Sequence, residues 1–229
     1  MNREMNSNKK TAIFCDFDGT ITLSDNIVAI MKHFKPEGIE AIMKDTIEQK
    51  VSLREGVGAM FDLLPSSQKD EIVEFVLGQA GIREGFAAFL EYVRSEGIEF
   101  NVTSGGMDFF IEPLLAPFNI PQDRVYCNGA DFSGERIHIE WPHPCQPPCE
   151  NGCGMCKTTV IRSFPADEYN RILIGDSLTD FEGAKIADLV YSRSILTDKC
   201  VELGVDHVPF TTFYDIIEDM KQKQSQGVL

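Results

Sequence analysis

Three short apolar runs in this chain stop on the same kind of residue. TAIFCDF (11–17) leads into DGT, IEFNVTSGG (98–106) closes on Ser104 and two glycines, and RILIGDS (171–177) closes on Asp176, with LTD continuing to Asp180. Apolar runs of that length bounded by turn residues read as buried strands. Helical patterns separate them, so the strands are joined by crossovers and lie parallel in one sheet, an α/β fold with a Rossmann-like core. In such a sheet the ligand site lies beyond the carboxyl ends of the strands. The spacing therefore predicts that DFDGT, TSGG and GDSLTD converge in space.

Between the first two runs the pattern changes. DNIVAIMKHF, EGIEAIMKDTIEQ, SLREGVGAMFDLL and SQKDEIVEFVLGQ carry apolar residues three to four apart, the spacing of amphipathic helices. This predicts a helical cap over 24–81 inserted into a core made of 1–23 and 82–229. Within the core, EGFAAFLEYVRSEG reads as a helix closed by Gly97, TSGG as a strand end with a glycine turn, RVYCN as a short strand, ADFSGERIHIEW as a hairpin and LVYS as a fourth parallel strand.

Asp16 and Asp18 pose an electrostatic problem, because two ionised carboxylates ~4 Å apart repel by roughly 4 kcal/mol at an effective dielectric near 20. Asp16, Asp18, Asp176 and Asp180 are hard oxygen donors of the kind Mg²⁺ prefers, and the ion would offset the repulsion. Thr20, Ser104 and the backbone at Gly105 and Gly106 offer hydrogen-bond donors for phosphoryl oxygens, and Lys157 offers positive charge. A carboxylate at 16 can act as a nucleophile and one at 18 as an acid and base. The formal charge of −15 opposes nucleic-acid and anionic-lipid binding. No apolar stretch reaches the ~18 residues of a membrane span, and MNREMNSNKK lacks the apolar core of a signal peptide, so the expected location is the cytoplasm. The expected partner is a small-molecule phosphate ester; a homodimer stays open.

In that order, DFDGT, TSGG, a lone lysine and GDSLTD resemble the four motifs of the haloacid dehalogenase-like phosphatases, over Ala12 to about Tyr191. The resemblance implies Asp16 as nucleophile, Asp18 as acid and base, Ser104 and Lys157 as phosphate ligands, and a metal shell of Asp16, the Asp18 carbonyl and Asp176. Asp180 would hold Lys157 or a metal-bound water. The helical insertion is similar to the cap of the phosphoserine phosphatase-like branch, in which a residue at the offset of Asp25 faces substrate. Each residue also has a plainer reading: Asp25 as a helix N-cap, Asp180 as a first-turn aspartate, Thr20 and Ser104 as turn residues, and Lys157 as a solvated helix start.

Two departures bear on substrate. Phosphoserine-specific relatives carry SLRxRV in the cap, and here SLREGV places Gly56 where the carboxylate-gripping arginine would stand. The hairpin and the cysteine-rich insert resemble instead the methionine salvage members of the branch, which act on a methylthio-bearing enol phosphate, and MFDLL with the adjoining helices is expected to offer apolar cap surface for its tail. Alternatives are phosphocholine, phosphoethanolamine or phosphoserine esters, or a non-catalytic phosphate-binding protein; retention of both Asp16 and Asp18 disfavours the last. Cys145, Cys149, Cys153 and Cys156 contain one CxxC, without the paired knuckles of structural zinc. They are expected to be reduced thiols in a tight loop that positions Lys157, with zinc or a disulfide as alternatives. Among the histidines only His143, beside the cysteines, draws interest. Trp141 is expected to pack rather than to line the pocket.

Overall fold

The protein was analysed as a computed structural model that describes residues 5, 6 and 8–228. Seven strands form one sheet in the order β4-β3-β2-β1-β5-β6-β7. They are β1 (Lys10–Cys15), β2 (Glu99–Met107), β3 (Val125–Asp131), β4 (His138–Glu140), β5 (Tyr169–Gly175), β6 (Leu189–Ser192) and β7 (Val208–Pro209). All neighbours pair in parallel except β4, which returns antiparallel beside β3 as the expected hairpin.

The central strands are buried on both faces, and their side chains alternate between two apolar clusters as the period-two pleat requires. Ile13, Cys15, Ile172 and Ile174 face one cluster, while Ala12, Phe14 and Leu173 face the other. The first is covered by α5 (Phe86–Ser95), α6 (Asp108–Leu115) and α10 (Phe213–Ser225). The second is covered by α7 (Lys157–Arg162), α8 (Leu178–Ala184) and α9 (Ser194–Leu203). β7 and α10 lie beyond the last strand read from the sequence. Gly97 does close α5, at φ +65°.

Four helices separate β1 from α5: α1 (Asn26–Phe34), α2 (Ile39–Ile47), α3 (Leu53–Asp62) and α4 (Lys69–Gln79). Asp25 caps α1 by accepting from the Val28 N–H at 2.9 Å, and Ser52 and Glu55 form a reciprocal capping box on α3. The segment leaves the sheet at Thr22 and returns at Ile82, and those two residues pair in an antiparallel bridge. Its inner residues, including Val57, Phe61, Ile72 and Val76, belong to the same apolar cluster as the sheet. On its far side it docks on the hairpin, where the Ile137 N–H donates to the Leu64 carbonyl and the Ser66 N–H to the Glu135 carbonyl, both at 3.0 Å. Among the described residues no helix is long and apolar enough to cross a membrane.

One local expectation fails. The glycines of TSGG do not turn; β2 runs through them to Met107, with a register shift against β3 between Thr103 and Met107. Gly106 comes close to the site there: a Cβ on it would lie 2.9 Å from Asp18 Oδ2 and 3.0 Å from Ile111 Cδ1.

Candidate active site

The strands ending in DFDGT, TSGG and GDSLTD are β1, β2 and β5, adjacent in the middle of the sheet. Asp16 follows β1 directly, held by its N–H donating to the Ile174 carbonyl at 2.8 Å. Gly19, at φ +80°, then turns the chain so that Asp18 and Thr20 stay near the strand end.

Lys157, the first residue of α7, is buried and extends to Asp16 Oδ1 at 2.6 Å and to Asp180 Oδ1. Burial opposes its charge, but the carboxylates of Asp16 and Asp180 outweigh burial and raise its pKa above the usual lysine range. Asp180 Oδ2 accepts from the Asp176 and Ser177 N–H groups at 3.2 and 3.1 Å, so Asp180 both caps α8 and holds Lys157. Asp180 is thus a helix-start residue that also contacts Lys157.

Asp18 faces away from that ion pair. Its Oδ1 accepts from the Asn26 N–H at 3.0 Å and from Asn26 Nδ2 at 2.7 Å, and its Oδ2 accepts from Ser104 Oγ at 3.2 Å. Burial, followed by the nearby charge of Asp25, pushes its pKa up to about 7. A carboxyl poised there can hold a proton at neutral pH and release it. Burial likewise pushes up Asp16, against the pull of Lys157, and moves Asp176 to about 6 with help from Asp180.

Oxygens of Asp16, Asp176 and Asp180 lie within 4.8 Å of one another, and Asp16 Oδ2 is buried without a hydrogen-bond partner. An orphaned buried carboxylate oxygen among acids that outnumber the one lysine suits a hard divalent cation such as Mg²⁺. Asp180 has both oxygens engaged by Lys157 and the α8 turn, which leaves Asp16 and Asp176 as the side chains able to bind. The Asp18 carboxylate is committed to Asn26 and Ser104, so Asp18 could serve only through its main-chain carbonyl. Thr20 Oγ1 donates to Asp176 Oδ1 at 3.5 Å, and the Gly105 carbonyl is fixed by Asn128 Nδ2 at 2.8 Å.

Several residues that build the site carry no local signature. Arg83 is buried and donates to the carbonyls of Thr20, Gly19 and Thr22 at 2.7, 2.8 and 3.2 Å, while Arg193 Nη1 donates to the Gly19 carbonyl at 2.6 Å. Asn26, tied to α4 by Gln79 Nε2 at 3.1 Å, is the principal partner of Asp18. Asp25 caps α1 through the Val28 N–H.

One expectation about the helical segment needs correction, and the Gly56 reading gains a packing context. Met60, Phe61 and Leu64 of MFDLL are buried in the core, with Phe61 edge-on to Phe109, so this stretch is not an open apolar surface. A Cβ at Gly56 would lie 2.7 Å from Thr46 Cγ2, which makes Gly56 the close-approach residue between α2 and α3. An arginine side chain at that position would have to displace Thr46. Trp141 packs under the Arg54 guanidinium, 5.5 Å from it.

Residues 13–185 match the family model of the haloacid dehalogenase-like hydrolases. A 2-hydroxy-3-keto-5-methylthiopentenyl-1-phosphate phosphatase of Brevibacillus brevis is 54% identical over 220 residues, covering 96% of this chain and 99% of its own. The protein of that name from Geobacillus thermodenitrificans is 48% identical, covering 93% and 97%. Among solved structures, a phospho-aspartyl intermediate analogue of phosphoserine phosphatase superposes with a TM-score of 0.68 at 20% identity, covering 92% and 98%. The phosphoserine phosphatase of T. onnurineus gives 0.69 at 15% identity, covering 95% and 98%. These last two show the shared fold.

Proposed function

The chain belongs to the haloacid dehalogenase-like hydrolases, and from that premise we propose that it is a cytoplasmic, Mg²⁺-dependent phosphomonoesterase acting on 2-hydroxy-3-keto-5-methylthiopentenyl-1-phosphate. The observation that carries the chemistry is the division of labour between two carboxylates two residues apart. Asp16 has one oxygen on Lys157 and the other, Oδ2, without a partner, while Asp18 is oriented by Asn26 and Ser104 with its pKa moved up to about 7.

In this reading an oxygen of the Asp16 carboxylate attacks phosphorus and the ester P–O bond breaks, with Asp18 giving its proton to the leaving oxygen. Water then attacks the phosphoryl group on Asp16, Asp18 takes the water proton, and the P–O bond to Asp16 breaks to release phosphate. Ser104, Thr20, the Gly105 backbone and Lys157 hold the phosphoryl oxygens. Mg²⁺, held by Asp16, the Asp18 carbonyl and Asp176, supplies positive charge against those oxygens when bound. The helical segment 24–81 is the cap over a core of 1–23 and 82–229, excluding water from the reacting centre. Phosphate monoester hydrolysis is among the slowest uncatalysed reactions, with enhancements reaching ~10²¹, so a covalent step, a lysine and a metal are expected together.

The name borne by the relatives at 54% and 48% identity supports the substrate, and the crowded Gly56 supports discrimination against phosphoserine, whose carboxylate would find no arginine at that position. The test is a competition assay between the methylthio enol phosphate and phosphoserine, with Mg²⁺ and with EDTA. A preference for the former above about tenfold in kcat/KM, equal to ~1.4 kcal/mol, is expected. Preference for phosphoserine would overturn the substrate assignment, and full activity in EDTA would overturn the metal.

A further inference from the structure

The four cysteines between β4 and α7 stand apart from the carboxylate site, and their arrangement is that of a ligand set. Cys145, Cys149, Cys153 and Cys156 bring all four Sγ atoms within 4.8 Å of one another, and none is in a disulfide. The Cys145 and Cys149 sulfurs are 3.7 Å apart. A disulfide needs about 2.05 Å, whereas a tetrahedral ion with Zn–S bonds of about 2.3 Å places its sulfurs roughly 3.8 Å from each other.

The backbone is shaped around the sulfurs. Gly152 and Gly154 flank Cys153 at φ +62° and +79°, which lets the chain fold back on itself. The Cys153 N–H donates to Cys145 Sγ at 3.3 Å, an outer contact of the kind that orients a thiolate ligand. Residues 141–156 contain neither helix nor strand, and most of them are at least partly exposed. An irregular loop of that length inside a compact domain is uncommon without a constraint of its own. Apolar burial is concentrated at its last residues, Met155 and Cys156. His143 does not join the set: its ring packs edge-on against Tyr126, and its carbonyl accepts from the Cys156 N–H at 2.8 Å.

We propose that these four cysteines bind one structural Zn²⁺. On binding, the four thiols release their protons to solvent and the four sulfurs fill the tetrahedron, which leaves no open position for chemistry. Four sulfurs favour a thiophilic ion over the Mg²⁺ suited to the carboxylates. This goes past the reading of the sequence as reduced thiols, because single spacings hid a cluster that the folded loop assembles. The ion would make the loop a cross-link. One end is Cys156, the residue before Lys157. The other face is joined to α3, where the Arg54 N–H donates to the Gly152 carbonyl at 3.0 Å and its guanidinium covers Trp141. One ion thus stiffens both the approach of Lys157 to Asp16 and the seating of the helical segment. The site does not depend on the phosphatase reading.

Elemental analysis of the full chain, purified without an immobilised-metal column and dialysed against EDTA, is expected to give about one zinc per chain. Replacement by Co²⁺ should give the intense thiolate-to-metal absorption of a tetrahedral four-sulfur site. Cys149→Ser should lower zinc content at least threefold, with Cys200→Ala, outside the loop, as the control that keeps it. Should Cys149→Ser fail to fold, stepwise mercurial titration of the unmodified protein gives the same answer by releasing one zinc as four thiols react. Zinc below about 0.2 per chain after growth with added zinc, iron in its place, or full zinc retention in Cys149→Ser would each overturn the proposal.

Discussion

Lys157 reaches two buried carboxylates, and its removal should cost stability as well as activity. Lys157→Met keeps most of the aliphatic stem but leaves Asp16 and Asp180, 4% and 0% exposed, without their shared partner. Breaking a buried ion pair from one side costs about 3 to 5 kcal/mol, because the remaining charge stays desolvated. For a domain of this size each kcal/mol moves Tm by roughly 2 to 4 °C, so the variant should melt about 6 to 20 °C below the parent. Thermal denaturation in EDTA, where no divalent ion can substitute, is the assay. The sign of the coupling makes a second test. Lys157→Met with Asp180→Asn should recover part of the loss, since the amide is neutral and its oxygen can still accept from the Asp176 and Ser177 N–H groups. A Tm drop of less than ~2 °C for Lys157→Met, or a double variant less stable than the single one, would refute the electrostatic account.

Asp16→Asn should lower kcat by at least ~10³-fold while leaving the fold intact, because volume is kept and the nucleophile lost; activity within tenfold of the parent would remove the covalent step. Asp18→Asn should block turnover while allowing phosphoenzyme to build up in rapid-quench experiments with labelled substrate. Asp176→Ala should raise the Mg²⁺ concentration needed for half-maximal activity far more than Asp25→Ala, and equal effects would show the metal to be misplaced. Asn26→Ala removes the 2.7 Å side-chain donor to Asp18 and should reduce kcat about 10- to 100-fold with little change in KM, the range expected for a hydrogen bond to a charged group.

What could be read from the chain and what could not divides along sequence distance. β1, β2 and β5 announce themselves because a buried parallel strand is a continuous apolar run and its acidic end is contiguous with it, so Asp16, Asp18, Ser104 and Asp176 are visible as members of short motifs. Lys157 was legible through its order among those motifs. Arg83 and Arg193 were not: each is a single arginine whose partners, the carbonyls around Gly19, lie far away in the chain and carry no side-chain signal. Asn26 was masked by Asp25, whose role as a cap explains the local composition. Gly106 looked like a turn, because a glycine demanded by a neighbouring carboxylate and one demanded by a left-handed backbone are the same letter. Gly56 was read through a missing side chain, when the deciding fact was the Thr46 it packs against on another helix.

The bridge between Thr22 and Ile82 has a mechanical consequence. Leu23 N–H donates to the Gly81 carbonyl at 2.9 Å and Arg83 N–H to that of Ile21 at 2.8 Å, so the two tethers of the helical segment are fastened side by side. With the backbone bonds to the hairpin at Leu64 and Ser66, the segment is fastened to the core at two places. Asn26 belongs to the segment, and Asp18 to the core. Asp18 Oδ1 takes both of its donors from the segment, while Ser104 of the core donates to Oδ2. The acid is thus aimed jointly by the helical segment and the core, and its alignment reports whether the two are docked.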